Sequence, residues 1–98
     1  MIRAFRDPGT EDIFNARDSK RARRRCPSRL WAVARRKLEL LDSAVALVDL
    51  RIPPANRLEA LKGDRLGQYS IRINDQYRVC FVWNEHGPDH VEIVDYHE

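Results

Sequence analysis

The sequence predicts an α+β fold, with an N-terminal strand and two to three helices packed on one face of a mostly antiparallel sheet of about four to five strands. Two patterns carry that prediction. From Leu58 onward apolar residues alternate at strand spacing: Tyr69, Ile71 and Ile73, then Tyr77, Val79, Phe81 and Trp83, then Val91 and Ile93. Before that meander, Leu30, Val33, Ala34, Leu38 and Leu41 recur at the spacing of one helical face. A chain of 98 residues holds one core, so 1–98 reads as a single domain.

Each element has a local reason. Ile2 to Phe5 reads as a short strand ended by Asp7, Pro8 and Gly9. Thr10 then caps a short helix whose first turn carries Glu11 and Asp12, both favourable at the positive end of the macrodipole, with Ile13 and Phe14 as its apolar contacts. Ser19 to Cys26 reads as a basic linker, and Pro27 starts the second helix. Lys37 lies at the edge of that helix's apolar stripe, while Trp31 lies off it, where a partner or RNA could touch it. Asp42 or Ser43 caps one further turn, Ala44 to Asp49, before Ile52, Pro53 and Pro54 force an extended connector.

Leu58 to Leu61 is a strand, and 62–67 a loop with two glycines. In the hairpin that follows, both apolar sets share the core face only if Ile73 lies opposite Tyr77 and Ile71 opposite Val79. Arg72 then falls opposite Arg78. Like charges so placed cost on the order of a few tenths of a kcal/mol unless an anion or carboxylate sits between them. The residues alone leave two outcomes open, a phosphate site or two guanidinium groups splayed into water. After a turn at His86 to Asp89, Val91 and Ile93 alternate against Glu92 and Val94 in a last strand. With helices on one sheet face, the other, carrying Arg72 and Arg78, is expected to be an open concave surface.

Net charge is only +3, but it is unevenly distributed. Between Arg17 and Lys37 ten Arg or Lys residues face the single acid Asp18, whereas Trp83 to Glu98 holds five acids and no Lys or Arg. A one-sign block attracts a phosphate backbone at long range, which favours nucleic acid over an acidic protein as partner. No apolar run approaches the roughly 18 to 20 residues of a membrane span. Cys26 and Cys80 form no disulfide or metal spacing, and the N-terminus lacks the apolar core of a signal peptide, so a reducing cytoplasm is the expected location. His86 and His90 lack metal-ligand partners at useful spacing and read as surface residues. No metal or other cofactor is expected.

The run from Asn56 through Arg57, Leu58, Glu59, Ala60, Leu61, Lys62, Gly63, Asp64 and Arg65, then Gly67 to Ile71, Asn74 to Arg78, and the terminal Asp95, Tyr96 and His97, closely resembles HigB-type toxins of the RelE superfamily. Ile2 to Phe14 resembles the same group, so the likeness covers nearly the whole chain. It implies a RelE-like domain acting as a ribosome-dependent endoribonuclease, an mRNA interferase that inhibits translation by cleaving mRNA in the decoding site. It also implies a toxin that is monomeric when free and hetero-oligomeric with a HigA-type helix-turn-helix antitoxin. The family's loop lysine matches Lys62, its strand arginine Arg78, and its C-terminal aspartate, tyrosine and histidine match Asp95, Tyr96 and His97. One position departs: some active members carry a histidine where this chain has Glu59, which leaves the general base open.

The chemistry asked of such a site can be set against these residues. Attack of a 2′-hydroxyl on the adjacent phosphate, without a metal, needs a base, cations for the pentavalent phosphorane and an acid for the 5′ leaving oxygen. Lys62 and Arg78 are the candidate cations, Arg78 because a planar guanidinium grips two non-bridging oxygens. Arg57, Arg65 and Arg72, with Arg23, Arg24 and Arg25 of the basic block, are candidate RNA contacts. His97 serves as acid or base near neutral pH. Asp95 orients it or acts itself, Glu59 is a spare base, and Tyr96 is an acid beside a cation or a stacking platform for an unpaired base. A non-catalytic RNA- or ribosome-binding module and a structural protein with an acidic partner are the alternative readings.

Overall fold

The computed structural model describes residues 1–96. Three helices precede a four-stranded antiparallel meander: α1 (Pro8–Phe14), α2 (Lys20–Arg25), α3 (Trp31–Ser43), then β1 (Glu59–Ala60), β2 (Gln68–Arg72), β3 (Tyr77–Asn84) and β4 (Gly87–Asp95), in the sheet order β1-β2-β3-β4. The helices bury Ile13, Ala22, Ala34, Leu38 and Leu41 against Ile71, Val79, Phe81, Val91 and Ile93 of the sheet. The α+β layering expected from the pattern is therefore the one observed. No described helix is long and apolar enough to cross a membrane.

The β2–β3 register follows the alternation as predicted, with Ile71 opposite Val79, Arg72 opposite Arg78, and the Ile73 N–H donating to the Tyr77 carbonyl at 2.9 Å. In β4 an extra residue interrupts the ladder beside Phe81, where His90 takes a left-handed φ of 50°. Val91 N–H then donates to the Ala4 carbonyl, and Arg3 and Arg6 N–H groups donate to Pro88 and Val91. The predicted strand at Ile2–Phe5 thus reduces to one parallel bridge, Phe5 to Val91, that shields the β4 edge.

The helical half departs from expectation at α1, at α2, at the start of α3, which follows a tight turn at Ser28–Leu30 instead of starting at Pro27, and beyond α3. Asp7, rather than Thr10, caps α1 by accepting the Thr10 N–H at 2.7 Å, with Pro8 in the first turn. Thr10 is fully buried instead, and its hydroxyl donates to Asp7 at 2.9 Å and accepts the Ile93 N–H at 3.0 Å, tying α1 to β4. The expected linker at Ser19–Cys26 is helix α2, capped by the Ser19 hydroxyl accepting from Ala22 N–H. Its repelling arginines find separate carboxylates: Arg21 binds the buried Asp12 at 2.6 Å, Arg25 lies 3.3 Å from Asp7, and Arg23 pairs with Asp18. α1 and α2 cross closely at Gly9, where a Cβ would lie 2.4 Å from the Arg21 carbonyl oxygen.

Beyond α3 the expected helical turn at Ala44–Asp49 is a tighter turn at Leu47–Arg51. Neither Asp42 nor Ser43 caps it: Asp42 accepts the Ile2 N–H at 2.8 Å, and Asp49 accepts the Val45 and Ala46 N–H groups, both at 3.0 Å. Trp31 is half-buried on the core and donates its indole N–H to the Cys26 carbonyl at 3.0 Å.

Candidate active site

The second sheet face is not the open surface expected. Ser70 and Cys80 are fully buried there, and Arg78 and Glu92 are each 8% exposed. Small residues in the middle of this face let longer side chains fold over them. Arg6 and Arg65 lie 3.2 and 3.6 Å from the Glu92 carboxylate across one half, and Arg78 crosses the other. Burial pushes the Cys80 thiol up to about 11, so Cys80 behaves as a small hydrophobe.

Arg78 is the organising side chain. Its Nε donates to the Ser70 hydroxyl at 2.6 Å, and Nη2 donates to the Arg57 carbonyl at 2.6 Å and, more weakly, to the Ser70 carbonyl at 3.5 Å. Glu59, which β1 pairing places opposite Ser70 on the same face, brings its half-exposed carboxylate to 3.9 Å from Nη2. Ser70 lies diagonally across the hairpin from Arg78, within reach of a long side chain. Of the two outcomes drawn from the facing arginines, the splayed one does not hold for Arg78, because the protein's own acceptors receive it at the wall of a cleft. Arg72 has an ion pair of its own, with the exposed Asp75 of the β2–β3 turn.

A cleft of about 500 Å³ opens beside this arrangement, lined by Arg57, Glu59, Arg72, Arg78 and Tyr96. The turn residues Asn74, Asp75 and Gln76 complete its wall. Asn74 shapes the turn by accepting the Gln76 and Tyr77 N–H groups at 2.9 and 2.7 Å. Gln76 fastens the C-terminal end: its carbonyl accepts the Tyr96 N–H at 2.7 Å and its side chain donates to Asp95 at 3.1 Å. A larger groove of about 920 Å³ runs along α3 past Phe14, Val33, Leu40 and Ile73, and Arg72 borders both concavities. The smaller one gathers the acid, the phenol and the pinned guanidinium, and is the better candidate for chemistry.

The structure brings together five of the residues singled out from sequence and separates the rest. Lys62 is exposed in the loop after β1, three residues beyond Glu59, and does not line the cleft. Arg65 turns toward Glu92 and donates to Gln68 at 3.0 Å. Asp95 lies opposite Tyr77 in the ladder, on the sheet side away from Arg78. Arg23, Arg24 and Arg25 sit on α2 in the helix layer, across the sheet from the cleft. His97 lies outside the described residues. Among the described residues no cluster of His, Cys, Asp and Glu could hold a metal.

Sequence reasoning passed over Ser70, Asn56 and Gln76. For Ser70 the signal was present, since the predicted register already sets a small hydroxyl on the face of Arg72 and Arg78. Asn56 is fully buried. It accepts from Lys37 Nζ at 2.5 Å and donates to the Leu50 and Ile52 carbonyls at 3.2 Å each. Arg57, directly after it, adopts φ 45° and ψ 57°, the left-handed region that side chains rarely occupy. The cleft can therefore hold a phosphodiester between a fixed guanidinium and two outer ones, with a carboxylate and a phenol within the same space.

Comparison with known proteins places the chain among relatives. The profile of the family described as RelE-like toxin of type II toxin-antitoxin system HigB matches residues 3–97. Toxin HigB-1 of Vibrio cholerae serotype O1 is 47% identical over 83 residues, covering 85% of this chain and 84% of that protein. An uncharacterized protein of Haemophilus influenzae is 44% identical over 57 residues, covering 58% of this chain and 56% of the other.

Proposed function

Because the chain belongs to the HigB-like family of RelE-like toxins of type II toxin-antitoxin systems, we propose that it inhibits translation as a ribosome-dependent endoribonuclease that cleaves mRNA in the decoding site. The family implies an antitoxin as partner; a HigA-type helix-turn-helix protein, the ribosome and mRNA are the partners proposed here, in the cytoplasm. The observation that carries the reading is the Arg78 guanidinium, held by Ser70 and Arg57 at the wall of a cleft that also contains Glu59 and Tyr96.

In this reading the scissile phosphate enters beside Arg78, and Arg57 and Arg72 receive the flanking backbone. A base takes the proton of the 2′-hydroxyl, the 2′ oxygen forms a bond to phosphorus, and the P–O5′ bond breaks. The products are a 2′,3′-cyclic phosphate and a 5′-hydroxyl that has accepted a proton from the acid. Glu59 is the cleft's carboxylate and the first candidate base. Tyr96 stacks on a base or donates the proton. Lys62, Asp95 and His97 are the further residues that the family resemblance adds to the set; of these, Lys62 and Asp95 stand outside the cleft itself. Developing charge on the phosphorane is met by a cation fixed in advance, which costs no reorganisation at the moment of reaction.

Purified protein added to ribosomes programmed with a defined mRNA should create new message ends in the decoding site, and Arg78→Ala should abolish them. Intact message with the wild-type protein, at concentrations that saturate the ribosome, would remove the catalytic reading. Salt-sensitive ribosome binding without cleavage would then favour a non-catalytic module, the reading that Glu59 in the place of a family histidine keeps in view.

A further inference from the structure

We propose that Lys37 and Asn56 are positioning residues for the cleft: through the turn they anchor, they place the Arg57 carbonyl that holds Arg78. The proposal rests on the catalytic reading above and adds to it a connection from α3 to the site. No side chain of α3 lies in the cleft itself. The connection starts at Lys37 Nζ, which donates to Asn56 Oδ1 at 2.5 Å. The Asn56 amide donates to Leu50 and Ile52, so its polar atoms close the 50–56 loop on itself and fasten it to the helix. The next residue, Arg57, stands in the left-handed region at φ 45°, and its carbonyl accepts from Arg78 Nη2 at 2.6 Å.

Three features single out this chain of bonds. An asparagine with no exposed surface has its donor and acceptor atoms used, a costly arrangement to assemble unless it fixes something. A non-glycine residue in the left-handed region keeps that conformation only when its surroundings impose it, and the anchored residue is the one immediately before. Finally, an ammonium is held half-buried at Lys37, where burial, then Arg36 and Arg72, lower its pKa. The hydrogen bond to Asn56 is the contact that receives it. A hydrophobic residue there would suit the edge of the α3 stripe, and the lysine is explained by what its far end holds.

Asn56→Ala leaves buried carbonyls without donors and can fail to fold, so the test uses Lys37→Met, which keeps the apolar stem and removes the bond to Asn56. Cleavage of a defined mRNA on the ribosome should slow in kcat by about 10- to 100-fold, the cost of a small misplacement at a reacting centre, with KM unchanged. In the free protein, the Arg78 Nε–H resonance should lose protection from solvent exchange. If wild type cleaves and Lys37→Met cleaves equally with that resonance unchanged, the positioning role is overturned. A raised KM with kcat intact overturns it in favour of direct RNA contact by Lys37. If wild type itself cleaves nothing, the functional reading fails, and the exchange measurement alone still decides whether Lys37 holds Arg78.

Discussion

Ser70→Ala tests what holds the site together. The hydroxyl is fully buried and accepts from Arg78 Nε at 2.6 Å, a charge-assisted bond at the short end of its range. Deleting it leaves a guanidinium N–H without an acceptor in a place where water does not readily replace it. Hydrogen bonds to charged groups contribute about 1.5–3 kcal/mol, against a total stability on the order of 5–15 kcal/mol for a domain of this size. At about 4–8 °C per kcal/mol for a small domain, thermal unfolding should move down by roughly 6–24 °C. Activity should fall further than stability explains, because Arg78 relieved of one anchor can swing while Arg57 still holds Nη2. The assays are circular dichroism melting and initial cleavage rates measured well below both melting temperatures. Comparing Ser70→Ala, Arg78→Ala and the double variant isolates the pair, and a coupling of at least about 1 kcal/mol in stability is expected. Strictly additive losses, or a melting shift under about 2 °C with an unchanged rate, would refute the view that this hydroxyl fixes the guanidinium.

Two further outcomes are expected. Asp75→Asn should free Arg72 for a phosphate, so RNA binding tightens at low salt and the slope of log K against log salt steepens by up to about 0.7, one added single-strand contact; an unchanged slope would show that Arg72 does not reach the backbone. Asp12, held down to about 2 chiefly by its hydrogen bond from Arg21 and then by that from Ser19, has its folded pKa below its ordinary 3.8. Its contribution to stability is therefore complete above pH 3.8 and lost as pH falls from there toward 2. In urea titrations Asp12→Asn should be less stable than wild type at pH 7 and the gap should close across that window; a gap that stays constant would remove the assignment.

What could be read from sequence divides along physical lines. The hairpin register was legible because a slip of one residue would turn Tyr69, Ile71 and Ile73 outward, and α3 because Leu38 and Leu41 recur at helical spacing. α2 was not, since Ala22 is its single buried residue and leaves no apolar stripe; its signal was the Ser19 cap and the acids that neutralise its arginines. Among site residues, alternation gave the face of Arg78 but not its burial, which depends on Arg57 and Glu59 arriving from a connector with no periodicity. Arg57, Glu59, Arg72, Arg78 and Tyr96 meet in one cleft, whereas Lys62 and Arg65 lie outside it. The role of Asn56 was invisible because its partners are backbone carbonyls and a lysine nineteen residues away.

The two arginines that face each other across the hairpin show why a pattern that looks costly can persist. In isolation Arg72 and Arg78 repel, and the sequence alone offers an anion, a carboxylate or splaying into water to relieve them. The fold gives each an acceptor of a different kind. Arg78 is bound to a buried hydroxyl and a backbone carbonyl, groups that carry no net charge and cannot leave. These contacts leave its positive charge in place, and the one carboxylate near it, the half-exposed Glu59, stands 3.9 Å from Nη2, so in the proposed reading a phosphate meets the charge at a fixed position. Arg72 is paired with the exposed carboxylate of Asp75, a partner held by a surface ion pair of little net strength. That carboxylate can be exchanged for a phosphate oxygen without unfolding anything. One face thus carries a cation that is rigid and one that is exchangeable, and the distinction follows from the acceptor, not from the charge or the register. A strand pair with two exchangeable arginines would bind a polyanion as well but would give no fixed point for a transition state. A pair with two rigid ones would have to bury both charges, which is unfavourable without a ligand.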